Sequence, residues 1–354
     1  MENNNKMLFN RYMVTPSSYP VFSKAGITVR DENKEANIIL DYFSNYFTKE
    51  QLLKNNNNLN TMIIFDMVKN YFEVEYGCSM TYIELNNLYQ QSINSYIFND
   101  KENPAIVHVD ELLQSTLLNF FLVVFKWSKD FDNKEIYGEC FKNLLYIMNE
   151  VCIFGQMQGE YASREILKNV AGDIQILQLS ENCFWTAITF SIAHELAHYY
   201  IASIGKKYKN KKRYKEEFDA DAIAYHIVLK IIMDKVKNNC ILDEYTYLVP
   251  MMYMDFFDLY FYTDRILYKT KFYIDGSHPN VIKRKNNSFG VFNNGDYKLD
   301  TTNGNHLYGG FLDIYDEYKN QLILKMQRGK LESIIRRDKR EARRRKPDDK
   351  EGSK

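Results

Sequence analysis

Two histidines and a glutamate stand within five residues of the sequence, in the string His194-Glu195-Leu196-Ala197-His198. On a helix, side chains four positions apart project from one face, so both imidazoles can reach one ion. Glu195 is the neighbour of His194 and can reach a water molecule bound to that ion. Zinc takes imidazole and carboxylate ligands and can keep a fourth position for water. The string therefore predicts a zinc site on a helix; the alternative is two histidines on a polar helix surface.

An acidic stretch that begins 19 residues after His198 supplies the predicted third ligand. Glu217 and Asp221 are four positions apart and share one face of a second predicted helix. Glu217 is expected to bind the ion, and Asp221 to accept a hydrogen bond from a ligand imidazole. Glu216 and Asp219 are expected to point elsewhere. The alternative for Glu217 is a solvated acidic helix start, which the helix dipole favours.

Two further histidines have different contexts. His226 follows Glu217 by nine positions, about 180° round the helix, so it is expected to serve packing rather than metal binding. His278 lies in a predicted turn before a proline. It could donate a hydrogen bond to an oxyanion, bind the ion as a reversible fourth ligand, or be a plain turn residue. Arg284 is expected to pair with a buried carboxylate near the site.

Three segments in this order resemble the gluzincin metallopeptidases of the HtpX and CaaX-prenyl-protease type. They are H-E-x-x-H at 194–198, E-x-x-A-D at 217–221 and H-P-x-x-x-x-R at 278–284. The resemblance implies a zincin-like core, zinc bound by two histidines and a glutamate, and Glu195 as the base in peptide hydrolysis. The membrane-spanning helices of those families are absent from the sequence. The chain is therefore more similar to the Lit-type peptidases, cytoplasmic bacterial proteases of translation factors that act in phage exclusion. E-x-x-A-D also looks like the ImmA-type regulatory peptidases.

Helical periodicity dominates the chain, and the predicted fold class is α+β, predominantly α, with a small sheet. Residues 104–109 predict a strand, and Asp173–Leu179 alternates well enough to predict another. The second strand could bind extended substrate by strand addition or be an ordinary core strand. An aromatic helix over about 242–268 is expected to pack in the core or to line the substrate cleft. The predicted organisation is a helical extension over 1–100, a metallopeptidase domain over 101–327 and a basic tail over 328–354.

The formal net charge of zero conceals a segregation of charge. Residues 328–346 carry ten basic and three acidic side chains, a net of +7, against −7 for the rest of the chain. This tail could bind RNA, a ribosome or an acidic partner, or be a solvated extension. A polar start, no apolar stretch of membrane-spanning length and five scattered cysteines predict a cytoplasmic protein.

The leading functional expectation is a soluble zinc endopeptidase that acts on a protein or peptide substrate. Its regulatory or phage-defence role follows from the Lit-type resemblance alone. One alternative is a non-catalytic protein in which the same ligands and zinc hold the fold. Another is a nucleic-acid- or ribosome-associated protein that acts through the basic tail.

Overall fold

The computed structural model describes residues 59–86, 95–98, 104–130, 133–154, 173–206, 208, 213–237, 245–268, 280–295, 297, 301–329 and 331. Of these residues, 81% are helical, and the strands form a small mixed sheet. The predicted fold class, α+β and predominantly α, is confirmed. Within these ranges, none of the helices combines the length and the apolar character that crossing a membrane requires.

The described helices and strands are numbered here in chain order. They are α1 (Leu59–Tyr76), β1 (Ile83–Asn86), β2 (Ser95–Phe98), β3 (Ala105–Val109), α2 (Glu111–Lys129), α3 (Lys134–Phe154), α4 (Ile174–Ser203), α5 (Arg213–Lys237), a 3₁₀ turn (Thr246–Leu248), α6 (Val249–Tyr268), α7 (Val281–Asn294) and α8 (Thr302–Gln327).

The sheet has the strand order β1-β3-β2. The central strand β3 is parallel to β1 and antiparallel to β2, with Ile97 of β2 opposite Val107 of β3. Alternate residues of β3 are buried, namely Ala105, Val107 and Val109, as expected for a strand with one face on the core. Among the described strands β2 therefore has a partner on one side only, and its other side faces α4.

The long central helix α4 corrects one prediction. Asp173–Leu179 is not a strand, because α4 begins at Ile174 and the Asp173 carboxylate caps it by accepting a hydrogen bond from the Ile176 amide at 3.2 Å. The apolar residues of that stretch also fit helical spacing, and helical capping overrides the weak alternation. Substrate binding along a strand at 173–179 is thereby excluded.

Helix α4 is surrounded by other elements, which explains why its sequence is apolar on nearly every side. Residues 187–193 are all buried, and α1, α2, α5, α6 and β2 pack around the helix. Gly205 ends it with a φ of +69°, and the Lys206 amide donates to the Ile201 carbonyl at 3.2 Å. This closing bond is that of a Schellman cap, for which glycine is the favoured residue.

The predicted domain boundary at residue 100 stays a prediction. Strands β1 and β2 precede that position, yet they share a sheet with β3, which follows it. Helix α1 also packs on α4, and the Tyr71 hydroxyl donates to Asp234 of α5 at 2.9 Å.

Candidate metal centre and active site

Helix α4 places His194 and His198 one turn apart, with their Nε2 atoms directed toward each other. The two Nε2 atoms are 3.1 Å apart and the ring planes are almost perpendicular, at 87°. Leu196 and Ala197 between them are fully buried, which fixes the rotation of the helix about its axis. The i, i+4 geometry predicted from the sequence is therefore present.

Helix α5 brings Glu217 against this pair. Its Oε2 lies 3.5 Å from His194 Nε2, and its Oε1 lies 3.7 Å from His198 Nε2. Buried alanines on both helices, Ala197 and Ala220, let α4 and α5 approach closely. The structure thus brings together the three residues predicted as metal ligands.

The three side chains fit a metal ion by distance and by chemistry. One donor atom from each of His194, His198 and Glu217 lies within 4.8 Å of the other two. Bonds of about 2.0–2.2 Å in a tetrahedral zinc site place ligand atoms roughly 3.3–3.6 Å apart. The separations of 3.1, 3.5 and 3.7 Å bracket that range. Two imidazoles and one carboxylate are also a ligand set that zinc favours.

A second carboxylate approaches the far side of each imidazole. His194 Nδ1 is 3.0 Å from Asp221 Oδ1, and His198 Nδ1 hydrogen-bonds Glu216 Oε1 at 3.2 Å. In a metal-bound site, protons on the two Nδ1 atoms would face these carboxylates, and each Nε2 would present its lone pair to the ion. The prediction that Glu216 points elsewhere is wrong: its long side chain reaches His198 from the first turn of α5.

Arg284 holds the Asp221 carboxylate from α7. Its Nε and Nη2 donate to the two oxygens of Asp221 at 2.7 and 2.6 Å, and Nη2 lies 3.9 Å from Glu217. The Asn280 side chain caps α7 one turn earlier. Burial raises the pKa of Asp221, but the guanidinium outweighs it and holds that pKa below its usual value. Arg284 therefore orients His194 through Asp221.

The acidic surroundings favour one positive charge on the imidazole pair. Burial disfavours a charged His194, but contacts with Asp221 and Glu217 outweigh it and raise the pKa of His194 to about 10. Burial and the charge of His194 together lower the pKa of His198. A site that stabilises one cation in this way can stabilise a metal ion at the same point.

Glu195 lies beside the ligands but is not one of them. It is 7% exposed, and it turns toward β2, where Ser95 Oγ donates to its Oε1 at 3.2 Å and the Ile97 amide also donates to the carboxylate. Burial raises its pKa to about 7, against the opposing effects of the His194 charge and the Ser95 hydrogen bond. A carboxyl group in this setting can accept and return a proton near neutral pH.

Three further residues around Glu195 were not recognised in the sequence as site residues. Ser95 contacts Ser191 at 2.7 Å, and the Tyr253 hydroxyl donates to Ser191 at 3.1 Å. Ser191 stands four positions before Glu195, so helical spacing alone could have placed it on the same face. Ser95 carried no comparable signal, because it reaches the site through the strand pairing of β2.

Three other residues named from the sequence remain, and the predictions that His226 and Asp219 point away from the metal ligands are confirmed. His278 lies outside the described residues. His226 projects away from the metal ligands: its Nδ1 is 2.5 Å from the Tyr297 hydroxyl and its Nε2 is 3.4 Å from Glu75. Asp219 also points away, toward Lys206 at 2.6 Å.

The described residues thus form a mostly helical protein in which His194, His198 and Glu217 could hold a metal ion, with Glu195 beside them. The model of the family Peptidase U49 matches residues 78–301, well over half of the chain. The chain belongs to this family, the Lit-type metallopeptidases, so the predicted resemblance is confirmed and the protein is a peptidase. No curated protein and no solved structure matches the chain significantly.

Proposed function

We propose that this chain is a zinc-dependent endopeptidase that cleaves a protein substrate. The observation that carries the proposal is the convergence of His194, His198 and Glu217 at zinc-like separations, with Glu195 next to them and not among the ligands. Membership of a peptidase family supports hydrolysis of peptide bonds as the reaction. A regulatory or phage-defence setting is part of the proposal and follows from the Lit-type relationship.

The protein residues have separate tasks in the proposed reaction. His194, His198 and Glu217 would hold zinc, which when bound acidifies a water molecule and polarises the scissile carbonyl. Glu195 accepts a proton from that water and delivers it to the leaving amine, so that its carboxyl group ends the cycle unchanged. Asp221 and Glu216 keep both imidazoles in the required tautomer, and Arg284 fixes Asp221.

We propose strand β2 as the place where extended substrate binds, in place of 173–179. The Ile97 amide points away from β3 and toward Glu195, and Phe98 is 55% exposed at the end of the strand. Because the Ile97 amide already donates to Glu195, a peptide beside this edge would lie next to the base and pair with backbone groups of β2 other than that amide. N-methylation along a cleaved peptide should then weaken cleavage at alternate positions, whereas equal effects at consecutive positions would argue against strand pairing.

A zinc ion that only holds the fold is the competing function. Structural zinc sites have four protein ligands, whereas the described residues offer three. The three side chains are also partly exposed, at 12%, 18% and 15% for His194, His198 and Glu217. Partial exposure gives water and substrate a route to the ion, which favours the catalytic function.

His278 is proposed as an oxyanion donor, and the alternatives are a fourth zinc ligand and a structural turn residue. Replacement of His278 by alanine separates the three. If His278 is an oxyanion donor, His278→Ala should keep its full zinc content and lose turnover by about 10²–10³-fold. If His278 is a fourth ligand, the same variant should bind zinc more weakly. Unchanged zinc content and turnover would leave His278 as a turn residue.

The basic tail carries a second proposal, because its net charge of +7 is opposite to that of the rest of the chain. We propose that it addresses the peptidase to RNA, a ribosome or an acidic protein. The buried thiol of Cys140 accords with the proposed reducing cytoplasm. Cell fractionation tests that location, and recovery of the protein from an oxidising compartment would contradict it.

The proposed peptidase function is tested in cells by mapping new protein termini. Wild type and Glu195→Gln are expressed as full chains at equal level, and new N-termini are compared by mass spectrometry. The glutamine variant keeps the shape of the carboxylate and the metal ligands but cannot take a proton. We expect termini that appear with wild type and not with Glu195→Gln, together with equal zinc content. Identical termini in both would sink the proposal.

A further inference from the structure

A chain of hydroxyl groups ends on the Glu195 carboxylate. Tyr253 donates to Ser191 at 3.1 Å, Ser191 and Ser95 are 2.7 Å apart, and Ser95 donates to Glu195 at 3.2 Å. The four residues come from α6, α4 and β2. The chain therefore connects three separate elements at the position of the base.

The direction of the proton donations is fixed by the two ends of the chain. An ionised carboxylate can only accept, so Ser95 must give its one proton to Glu195. Ser191 must then give its proton to Ser95, and Tyr253 supplies the donor that Ser191 accepts. Burial raises the pKa of Tyr253 to about 12, so the phenol retains its proton in neutral solution. The Tyr253 hydroxyl also lies within hydrogen-bonding reach of Ser95, so the phenol supports both serines.

Three of the four residues of this hydroxyl chain lie away from bulk water, and the fourth, Ser95, is partly buried. Ser191 is 1% exposed, Tyr253 is 8% exposed and Glu195 is 7% exposed. In such surroundings hydrogen bonds to a carboxylate are stronger than in water, and successive bonds polarise one another. Ser191 also stands one helical turn before Glu195, so the base is held from its own helix and from the strand opposite.

We propose that Ser95 is a positioning residue for the base Glu195, and that Ser191 and Tyr253 hold Ser95 in place. The proposal rests on the peptidase function proposed above. A glutamate side chain has three rotatable bonds, and the hydroxyl chain selects the orientation in which the carboxylate can exchange a proton with the attacking water. Misplacement of a catalytic group by about 1 Å can cost about 10²-fold in rate, which is the scale on which Ser95 acts.

The variants Ser95→Ala, Ser95→Thr and Tyr253→Phe test the proposal. Loss of a hydrogen bond to a charged group predicts a fall in kcat of about 10- to 100-fold for Ser95→Ala, with KM little changed. Threonine retains the hydroxyl, so Ser95→Thr should recover most of the rate. Tyr253→Phe removes a hydroxyl that reaches both Ser191 and Ser95, and it should lower kcat by a few-fold, roughly 2–5.

Ser180→Ala is the matched control. Ser180 is a fully buried serine of the same helix α4, and its hydroxyl is not one of the hydroxyl groups that lead to Glu195. All variants are full-length and zinc-loaded, and the probe is a peptide library prepared from a cell lysate. Zinc content and unfolding midpoint are measured for each. Crystal structures of Ser95→Ala and Ser180→Ala supply a readout other than activity: the Glu195 carboxylate should leave its position only in the first.

The outcomes separate this proposal from the peptidase function itself. Wild type that cleaves no library peptide would argue against the peptidase function, and the Glu195 displacement would then decide the positioning role alone. A cleaving wild type with an equally active Ser95→Ala would overturn the positioning role and leave the peptidase function standing. The positioning role would also be overturned if Ser95→Thr failed to restore the activity lost in Ser95→Ala, or if that loss came with a lower zinc content.

Discussion

At the scale of single residues, adjacent glutamates of α5 have unequal tasks. Glu217 faces both Nε2 atoms of the histidine pair, whereas Glu216 contacts only the outer nitrogen of His198. The division follows from their directions on the helix, which differ by about 100°. One carboxylate is therefore placed to bind the ion and the other to hold a ligand in its tautomer.

This division predicts different zinc affinities for two neighbouring variants. Glu217→Gln removes the charged ligand atom and should abolish stoichiometric zinc binding. Glu216→Gln should weaken zinc binding by about 10- to 100-fold, the usual loss for a group behind a ligand. Competition with a chromophoric chelator measures both affinities. Asp219→Asn, on the same helix but turned toward Lys206, is the control and should bind zinc as wild type does. Equal losses for the two glutamate variants would contradict the assignment.

Much of the metal site was predictable from single residues, and the reason is local. His194 and His198 share one helix face, and so do Glu217 and Asp221, so helical spacing alone places each pair. Ser95 and Tyr253 could not be predicted in this way. Their distances to Ser191 depend on how β2 and α6 pack against α4, and sequence spacing contains no such information.

At the scale of elements, helix α4 carries the candidate ligands His194 and His198. The sequence pattern predicts a strand where this helix begins. The stretch 173–179 is short, and its apolar residues satisfy both the alternating and the helical pattern. The Asp173 cap and the elements that bury α4 on several sides favour the helical conformation over the extended one. Neither is visible in a seven-residue window. Extended binding of substrate is consequently assigned to β2.

The cap makes a prediction for stability and its dependence on pH. Asp173→Ala should lower the free energy of unfolding by about 1 kcal/mol. The hydrogen bond from Lys129 and the capped Ile176 amide lower the pKa of Asp173 below its usual 3.8, although slight burial opposes them. A lowered folded-state pKa gives stability that is present above the unfolded-state pKa and is lost as the pH falls through the folded-state value.

Urea unfolding of wild type and Asp173→Asn measures this charge effect. Asparagine is still a good cap but carries no charge, so its deficit at pH 7 should shrink as the pH falls below the usual aspartate pKa of 3.8. A deficit that stays constant from pH 7 to well below that value would contradict the contribution of the Asp173 charge. An unchanged stability of Asp173→Ala would contradict the cap itself.

At the scale of the whole molecule, the negative and positive charges are segregated along the sequence. The acidic portion contains the candidate active site, and the basic residues accumulate after α8. Leu331 is still buried, at 3% exposure, so the packed part of the chain reaches at least that residue. A deletion that begins at Arg328 would therefore remove packing as well as charge, and a later cut is the cleaner test.

Deletion of residues 336–354 should leave folding and peptidase activity intact. The expected change in unfolding free energy is within about 0.5 kcal/mol, the range usual for changes at protein surfaces. Binding to a single-stranded poly(U) RNA should be lost, and in wild type it should weaken steeply with salt. A full-length variant with the basic residues of this segment changed to glutamine is the control for length. Loss of peptidase activity on deletion would place the tail within the catalytic machinery.

The central claim is that activity depends on one zinc ion held by His194, His198 and Glu217. Its most direct test is a titration of metal-stripped full-length protein with zinc, in which bound zinc and cleavage of the lysate-derived peptide library are measured together. The account predicts that cleavage rises in proportion to bound zinc and stops rising at one ion per chain. It also predicts that His194→Ala neither binds zinc at one ion per chain nor cleaves the peptides. Cleavage by wild type that is independent of bound zinc would contradict the account.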